Sequence, residues 1–210
     1  MNLVTSKIHF LTQFSINVSN NSIFRSLLVS DFSRGPDGWE IMEDGQPGMS
    51  AAVFNQFKKF ITLKSIQQSS YFVAPERFTG DQRKSYNQEI RFSLKIGMED
   101  IGPQPTSADI IIEGRGDKTT TISIPITAQN NPVPSKDMQE YTFKLHENPE
   151  FGWTPSLRTQ SFIAVLSDIK SIKIRGSFVP GGTVQINFKL SDSFCVNGST
   201  LDNKFNLIVL

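Results

Sequence analysis

Few residues in this chain have the type and spacing to do chemistry. Arg115-Gly116-Asp117 places a cation and a carboxylate on either side of a glycine. On the tip of a hairpin, that triplet could bridge the charged and metal-bearing halves of an integrin's ligand site. A hairpin tip also needs glycine and polar residues for its own turn, so the same triplet has a purely structural reading. His146-Glu147 looks like an acid–base pair, but catalysis or metal binding needs a further titratable group at a set spacing. The other histidine, His9, is remote in sequence, and loop structure accounts for the pair, with Glu147 accepting backbone hydrogens ahead of Pro149. Asp31, Asp37, Glu43, Asp44 and Asp202 could lend oxygens to a structural calcium. No D-x-D-x-D loop organises them, and turn and cap roles explain the same acids. Trp39, Trp153, Tyr71 and Tyr86 could form a sugar-binding platform, although packing in a β core is the commoner fate of such rings.

The remaining chemistry is sparse. Cys195 is the single cysteine, so the fold has no internal disulfide and must stand on packing. Asn17, Asn20 and Asn197 each begin an N-x-S/T glycosylation triplet, which permits secretion without requiring it. The sequence contains no phosphate-cradling glycine loop, no G-x-S-x-G, no H-E-x-x-H and no paired catalytic carboxylates. An enzyme is not expected, nor is any cofactor beyond a structural calcium at Asp31, Asp37 or Asp202. With 21 basic and 20 acidic residues, the near-neutral charge offers no electrostatic case for nucleic acid or an anionic membrane. No run approaches the ~20 apolar residues of a membrane span. Lys7 and His9 interrupt what a secretory leader would keep apolar.

The elements that must position these residues read as β structure. Phenylalanine is abundant, with 17 copies among many Ile, Val and Thr, which favours strands. Ile90, Phe92, Leu94 and Ile96 alternate with Arg91, Ser93 and Lys95, the pattern of a strand with one face on a core and the other in water. Tyr71 to Ala74 is a short apolar strand that Pro75 stops. Between them Phe78 and Tyr86 are placed to anchor a loop whose turns come from Gly80-Asp81 and Tyr86-Asn87. Further strands are expected at Ile23–Val29, from Trp39 onward, at Met49–Phe57, Phe60–Leu63, Asp109–Glu113, Thr119–Ile126 (with Pro125 at a sheet edge), Tyr141–Leu145, Ile172–Arg175 and Thr183–Leu190. One helix is expected over Leu157–Asp168, where Phe162, Val165, Leu166 and Ile169 fall at i, i+3, i+4 and i+7 and Ser156 can cap.

Two long blocks carry a family resemblance. The first is Tyr71-Phe72-Val73-Ala74-Pro75-Glu76-Arg77-Phe78-Thr79-Gly80-Asp81-Gln82-Arg83-Lys84-Ser85-Tyr86-Asn87-Gln88, leading into the strand of Phe92 and Leu94. The second runs from Tyr141-Thr142-Phe143-Lys144-Leu145-His146-Glu147 through Trp153-Thr154-Pro155 and Phe162-Ile163-Ala164-Val165-Leu166-Ser167 to Ile172-Lys173-Ile174-Arg175. In this order they resemble the laminin IV type A domain, the laminin B module, over roughly Val29 to Leu190. Asp31-Phe32 followed by Gly38-Trp39 is similar to the opening of that module. Where the family has glycine after Ser-Tyr, this chain has Asn87, the residue next most tolerant of a left-handed turn.

The resemblance implies a non-catalytic structural and interaction module of the extracellular matrix, acting in matrix or basement-membrane assembly or cell adhesion. Its partners would be extracellular-matrix proteins or cell-surface receptors, with glycans as a further class, and its location extracellular. Without flanking cysteine-rich repeats, the chain is expected to be a stand-alone relative or a fragment of a larger matrix protein. The expected architecture is all-β: an antiparallel β-sandwich of jelly-roll type, like that of carbohydrate-binding modules, with roughly ten strands and one short helix. Residues 1–22 are expected as an irregular lead-in, 23–190 as the sandwich, and 191–210 as a C-terminal segment offering a last strand. A carbohydrate-binding module and an integrin ligand through Arg115-Gly116-Asp117 stand as alternatives.

Overall fold

Strands of Ile, Phe and Val with period-two patterning can bury one face only by meeting a second sheet, and that is how this chain folds. A computed structural model describes residues 7–11, 28, 30, 32, 35–43, 46–47, 53–55, 60–65, 69–96, 103–115, 121–178, 184–185, 187–188, 194–196 and 199–201. The strands of the first half are β1 (Lys7–Leu11), β2 (Glu40–Glu43), β3 (Gln46–Pro47), β4 (Val53–Asn55), β5 (Phe60–Thr62), β6 (Lys64–Ser65), β7 (Ser70–Val73) and β8 (Glu89–Leu94). The second half adds β9 (Ile110–Gly114), β10 (Thr121–Ile124), β11 (Gln139–Lys144), helix α1 (Thr159–Ser167) and β12 (Ile169–Arg175). Four short strands follow: β13 (Val184–Gln185), β14 (Asn187–Phe188), β15 (Phe194–Val196) and β16 (Ser199–Leu201).

Two sheets make the body. A six-stranded sheet has the order β10-β9-β12-β7-β2-β3, and a four-stranded sheet the order β11-β8-β1-β14. Pairing is antiparallel except between β1 and β14, which run parallel. Ile41, Phe72, Ile112 and Ile174 of the larger sheet and Ile90, Phe92, Tyr141 and Phe143 of the smaller one belong to a single buried cluster. The expected antiparallel sandwich is thus present, with α1 packed through Phe162, Val165 and Leu166 into the same core.

Several local expectations need correction. Residues 7–11, read as part of an irregular lead-in, form β1, which pairs with β8 from Ile8↔Leu94 to Leu11↔Arg91. An interior strand needs a hydrogen-bonding neighbour on each edge, and β1 provides β8 with its second. The opposite face of β8 is also drier than expected, since Ser93 is buried and Arg91 half-buried beside Glu89. The alternating run 183–190 is divided: β13 pairs with β6, whereas β14 pairs with β1. Breaks of this kind, with two-residue pieces at β3, β6, β13 and β14, raise the strand number above the expected ten. Helix α1 begins at Thr159, with Arg158 at its N-cap position making no side-chain cap bond, so Ser156 lies too far back to cap it. The strand expected over Ile23–Val29 lies largely outside the described residues.

The tightest part of the core is an aromatic stack across β8 and β11. Phe92 lies opposite Tyr141 in register, with ring centroids 5.3 Å apart, and Phe143 follows at 5.8 Å; both ring pairs are tilted by only 20°. All three rings are almost fully buried, so truncation of the central one leaves a cavity that its stiff neighbours cannot fill. Phe92→Ala should therefore lower the unfolding free energy by about 3–5 kcal/mol. Urea denaturation checks this, and a loss under 1 kcal/mol would show that the stack is not part of a close-packed core.

Candidate functional site

The site is built where the chain crosses from one sheet to the other, between β7 and β8. Pro75 cannot extend β7, and the chain turns through two short 3-10 segments, Glu76–Phe78 and Arg83–Ser85. Phe78 is buried beneath the first, 6.0 Å from the ring of Trp39. Beyond the bonds that close its own turns, the loop finds partners in other elements. Gly80 N donates to Ile169 O and Ile169 N to Gly80 O, both at 2.8 Å, and Gln82 N donates to Leu166 O at 2.8 Å. At its far end Asn87 N donates to Leu145 O and Leu145 N to Gln88 O, each at 2.8 Å. Asn87 has φ 59°, the left-handed conformation its side chain tolerates.

This crossing brings Tyr86 onto His146-Glu147, giving the pair the third polar group that sequence reasoning did not supply. The Tyr86 and His146 rings stack with centroids 5.3 Å apart. The Tyr86 hydroxyl donates to Glu147 Oε2 at 2.8 Å, and Thr159 Oγ1 donates to Glu147 Oε1 at 2.5 Å. His146 Nδ1 lies 3.5 Å from Glu147 Oε2 and accepts the Asn148 N–H at 3.0 Å. The carboxylate, expected to take backbone hydrogens, accepts from its own backbone and also from two hydroxyls of other segments. It lies against Thr159, the first residue of α1, where a negative charge complements the helix dipole. Its side chain is only 16% exposed. Burial works to raise the Glu147 pKa, but the hydrogen bonds from Thr159, Tyr86 and its own backbone, with the nearby His146, outweigh it and leave the pKa lowered. The hydrogen bond to Glu147, then burial, push the Tyr86 phenol upward.

The other sequence candidates are scattered. The Asp37 carboxylate is paired with Arg77, whose guanidinium also donates to Asp37 O at 3.0 Å and Ser30 Oγ at 2.6 Å. Asp31, Asp44 and Asp202 lie outside the described residues, among which no cluster of three metal-ligating side chains forms. Trp39 and Trp153 are 3% exposed. Trp39 Nε1 donates to Ser30 Oγ at 2.7 Å and Trp153 Nε1 to Lys144 O at 2.8 Å, so neither ring offers a face to a sugar. Tyr71 is half-buried on the outer face of the larger sheet. Arg115 follows β9 directly, is 59% exposed and lies 3.6 Å from Asp168, while Gly116 and Asp117 fall outside the described residues. So do Asn17, Asn20 and Asn197; Cys195 lies on β15.

One polar centre escaped the sequence reading. Asp109 is fully buried and accepts from Thr106 N and Oγ1 at 2.8–3.1 Å, Ile126 N at 2.9 Å and Arg175 Nη1 at 3.3 Å. The Thr106-x-x-Asp109 spacing was its one local signal. Ile126 comes from the turn after β10 and Arg175 from β12, out of reach of any motif.

The profile of the laminin B (domain IV) family matches residues 71–190, more than half of the chain. The chain belongs to the laminin B (domain IV) family. Among relatives, the laminin-like protein lam-2 of Caenorhabditis elegans is 41% identical over 62% of this chain and 8% of its own. The laminin subunit gamma-1 of Homo sapiens is 30% identical over 77% of this chain, and that of Xenopus tropicalis 31% over 73%. The chain spans about a tenth of these relatives, 10% and 9% of the two gamma-1 subunits. The solved L4b domain of human laminin alpha-2 matches with a TM-score of 0.55 at 15% identity, over 72% of this chain and 90% of that one. It shares the fold. The laminin B profile begins at Tyr71, on the strand that leads into the crossing loop, and takes in both sides of the Tyr86–Glu147 contact. No helix among the described residues is long and apolar enough to cross a membrane.

The cluster has a pH signature of defined sign. A carboxylate whose folded pKa lies below its unfolded value contributes stability above the unfolded value, about 4.3 for Glu, and loses it as pH falls through the folded one. For Tyr86 the neutral form is favoured. Its contribution is complete below about pH 10 and disappears as pH rises through the raised folded pKa. Glu147→Gln should therefore flatten part of the acid limb of the stability–pH curve, leaving the parts due to Asp81, whose pKa is lowered to about 2, and Glu113. Tyr86→Phe should flatten part of both limbs. Urea midpoints measured from pH 2.5 to 10.5 check this; unchanged limbs in both variants would exclude the Tyr86–Glu147 bond.

A second readout uses absorbance. The sequence holds three tyrosines, and all three are shifted upward: Tyr141 and Tyr71 chiefly by burial, Tyr86 chiefly by its bond to Glu147. The tyrosinate absorbance step of the folded protein should lie wholly above that of the protein in urea. One third of the amplitude appearing near pH 10 in the folded state would contradict the buried hydroxyls.

Proposed function

We propose that this laminin-like module is a non-catalytic structural and interaction unit of the extracellular matrix, serving matrix or basement-membrane assembly or cell adhesion. The observation that carries this reading is the family match across residues 71–190, which spans the crossing loop and the strands it joins. The chemistry is in keeping with it. Tyr86, His146, Glu147 and Thr159 bond to one another instead of converging on open space, and the exposed Arg83 is held by Asp81. Such a module works through its surface, with matrix proteins or cell-surface receptors as partners. The test is binding of the purified protein to immobilised basement-membrane extract: saturable binding that survives Glu147→Gln supports the reading. Absence of binding, together with turnover in a screen of hydrolase substrates, would falsify it.

One observation favours integrin recognition as a second reading. Arg115 stands directly after β9, where the chain leaves for β10, with its side chain 59% exposed and 3.6 Å from Asp168. On this reading cells adhere to the immobilised protein in a divalent-cation-dependent way, and Asp117→Glu abolishes adhesion. Equal adhesion to both proteins would discard it.

A further inference from the structure

The strands at one end of each sheet, β10 and β11, have edges that strand pairing leaves open. An open edge presents unpaired N–H and C=O groups to any extended chain, including another copy of the same protein. The β10 edge is covered by backbone: Ser123 N donates to Thr154 O and Thr154 N to Ser123 O, both at 2.8 Å. The β11 edge is covered by side chains. Tyr141 and Phe143 face β8, so the alternate residues Glu140, Thr142 and Lys144 turn their backbone groups outward.

Two amides meet them. Thr142 N donates to Asn131 Oδ1 at 3.0 Å, and Asn131 Nδ2 donates to Thr142 O at 2.8 Å and to Ala128 O at 2.9 Å. Lys144 N donates to Gln129 Oε1 at 2.7 Å, while Gln129 Nε2 reaches Phe151 O at 2.9 Å and Lys144 O at 3.5 Å. A primary amide carries a donor and an acceptor side by side, as a residue of a neighbouring strand does. The two-residue spacing of Gln129 and Asn131 matches that of Lys144 and Thr142. Gln129 and Asn130 reach this arrangement in left-handed backbone conformations, φ 57° and 62°, which side chains disfavour. Next to the covered stretch lies the exposed Glu140, and the exposed Val133 and Met138 flank the same loop and strand.

We propose that the 128–131 turn is an edge plug: the amides of Gln129 and Asn131 complete the hydrogen bonding of β11 and so prevent a second copy of this chain from adding a strand there. Without the plug, Glu140, Thr142 and Lys144 form a continuous open edge. The proposal goes beyond the matrix reading and is tested without any partner.

The experiment combines light scattering with amide exchange by NMR. The natural protein should be monomeric across micromolar concentrations, with slow exchange at Thr142 and Lys144. The double variant Gln129→Ala, Asn131→Ala should dimerise with rising concentration, whereas Asn130→Gly, which removes the side chain between them at a φ of 62° that glycine adopts freely, should not. In Asn131→Ala the Thr142 amide should exchange on the order of tenfold faster while Phe143 stays protected. A folded double variant that remains monomeric overturns the proposal. If the double variant fails to fold, Asn131→Ala decides alone: unchanged exchange at Thr142, or equal acceleration throughout β8 and β11, overturns it.

Discussion

The structure depends on a crossing between sheets that must satisfy its own backbone. From Pro75 to Gln88 the chain leaves one sheet and enters the other, outside either sheet's continuous ladder. Buried amides and carbonyls there need partners as much as those in a ladder do. Some find them within the loop's own turns, and others at the end of α1, at the start of β12 and at the residue that follows β11. Each bond of the second kind ties the crossing to an element far away in sequence. The loop is therefore a joint, and the order of the elements around it follows from which partners it can reach.

The same need explains the polar side chains that look functional. Glu147 accepts from the hydroxyl of Thr159 at the start of α1 and from that of Tyr86. Asp109 gathers the 103–109 loop, the segment after β10 and the end of β12 around one buried carboxylate. A polar group removed from water is tolerated when it is hydrogen-bonded, and the buried Asp109 and half-buried Glu147 meet that condition with donors from separate segments. Removing a single donor would leave an acceptor stranded, so these centres specify the arrangement as much as they stabilise it. Membership of the laminin B (domain IV) family is consistent with residues held in place for geometry.

Outward faces follow a different logic. On the larger sheet, Lys173 donates to Glu113 Oε1 at 2.5 Å and Ser171 to Glu113 Oε2 at 2.7 Å, across neighbouring strands. These bonds lie at the margin of solvent, where ion pairs contribute about 0–1 kcal/mol. Burial works to raise the Glu113 pKa, but its partners lower it overall. Such pairs set register and solubility. The core sets stability.

What the sequence determined by itself is local and periodic. The alternation of Ile90, Phe92, Leu94 and Ile96 could be read directly, because a strand turns every second side chain the same way, and all four are buried. The i, i+3, i+4 pattern of Phe162, Val165 and Leu166 marked α1, and Pro75 and Asn87 marked the ends of the crossing. What only the tertiary structure decided concerns partners. Nothing local in Lys7–Leu11 announces that β8 needs a second neighbour, and nothing in His146-Glu147 points to Tyr86 and Thr159. The continuous alternation of 183–190 concealed a division between two sheets. The physical reason is the same in each case. Side-chain direction is a property of a few adjacent residues, whereas hydrogen-bond satisfaction is a property of whatever the folded chain brings within 3 Å.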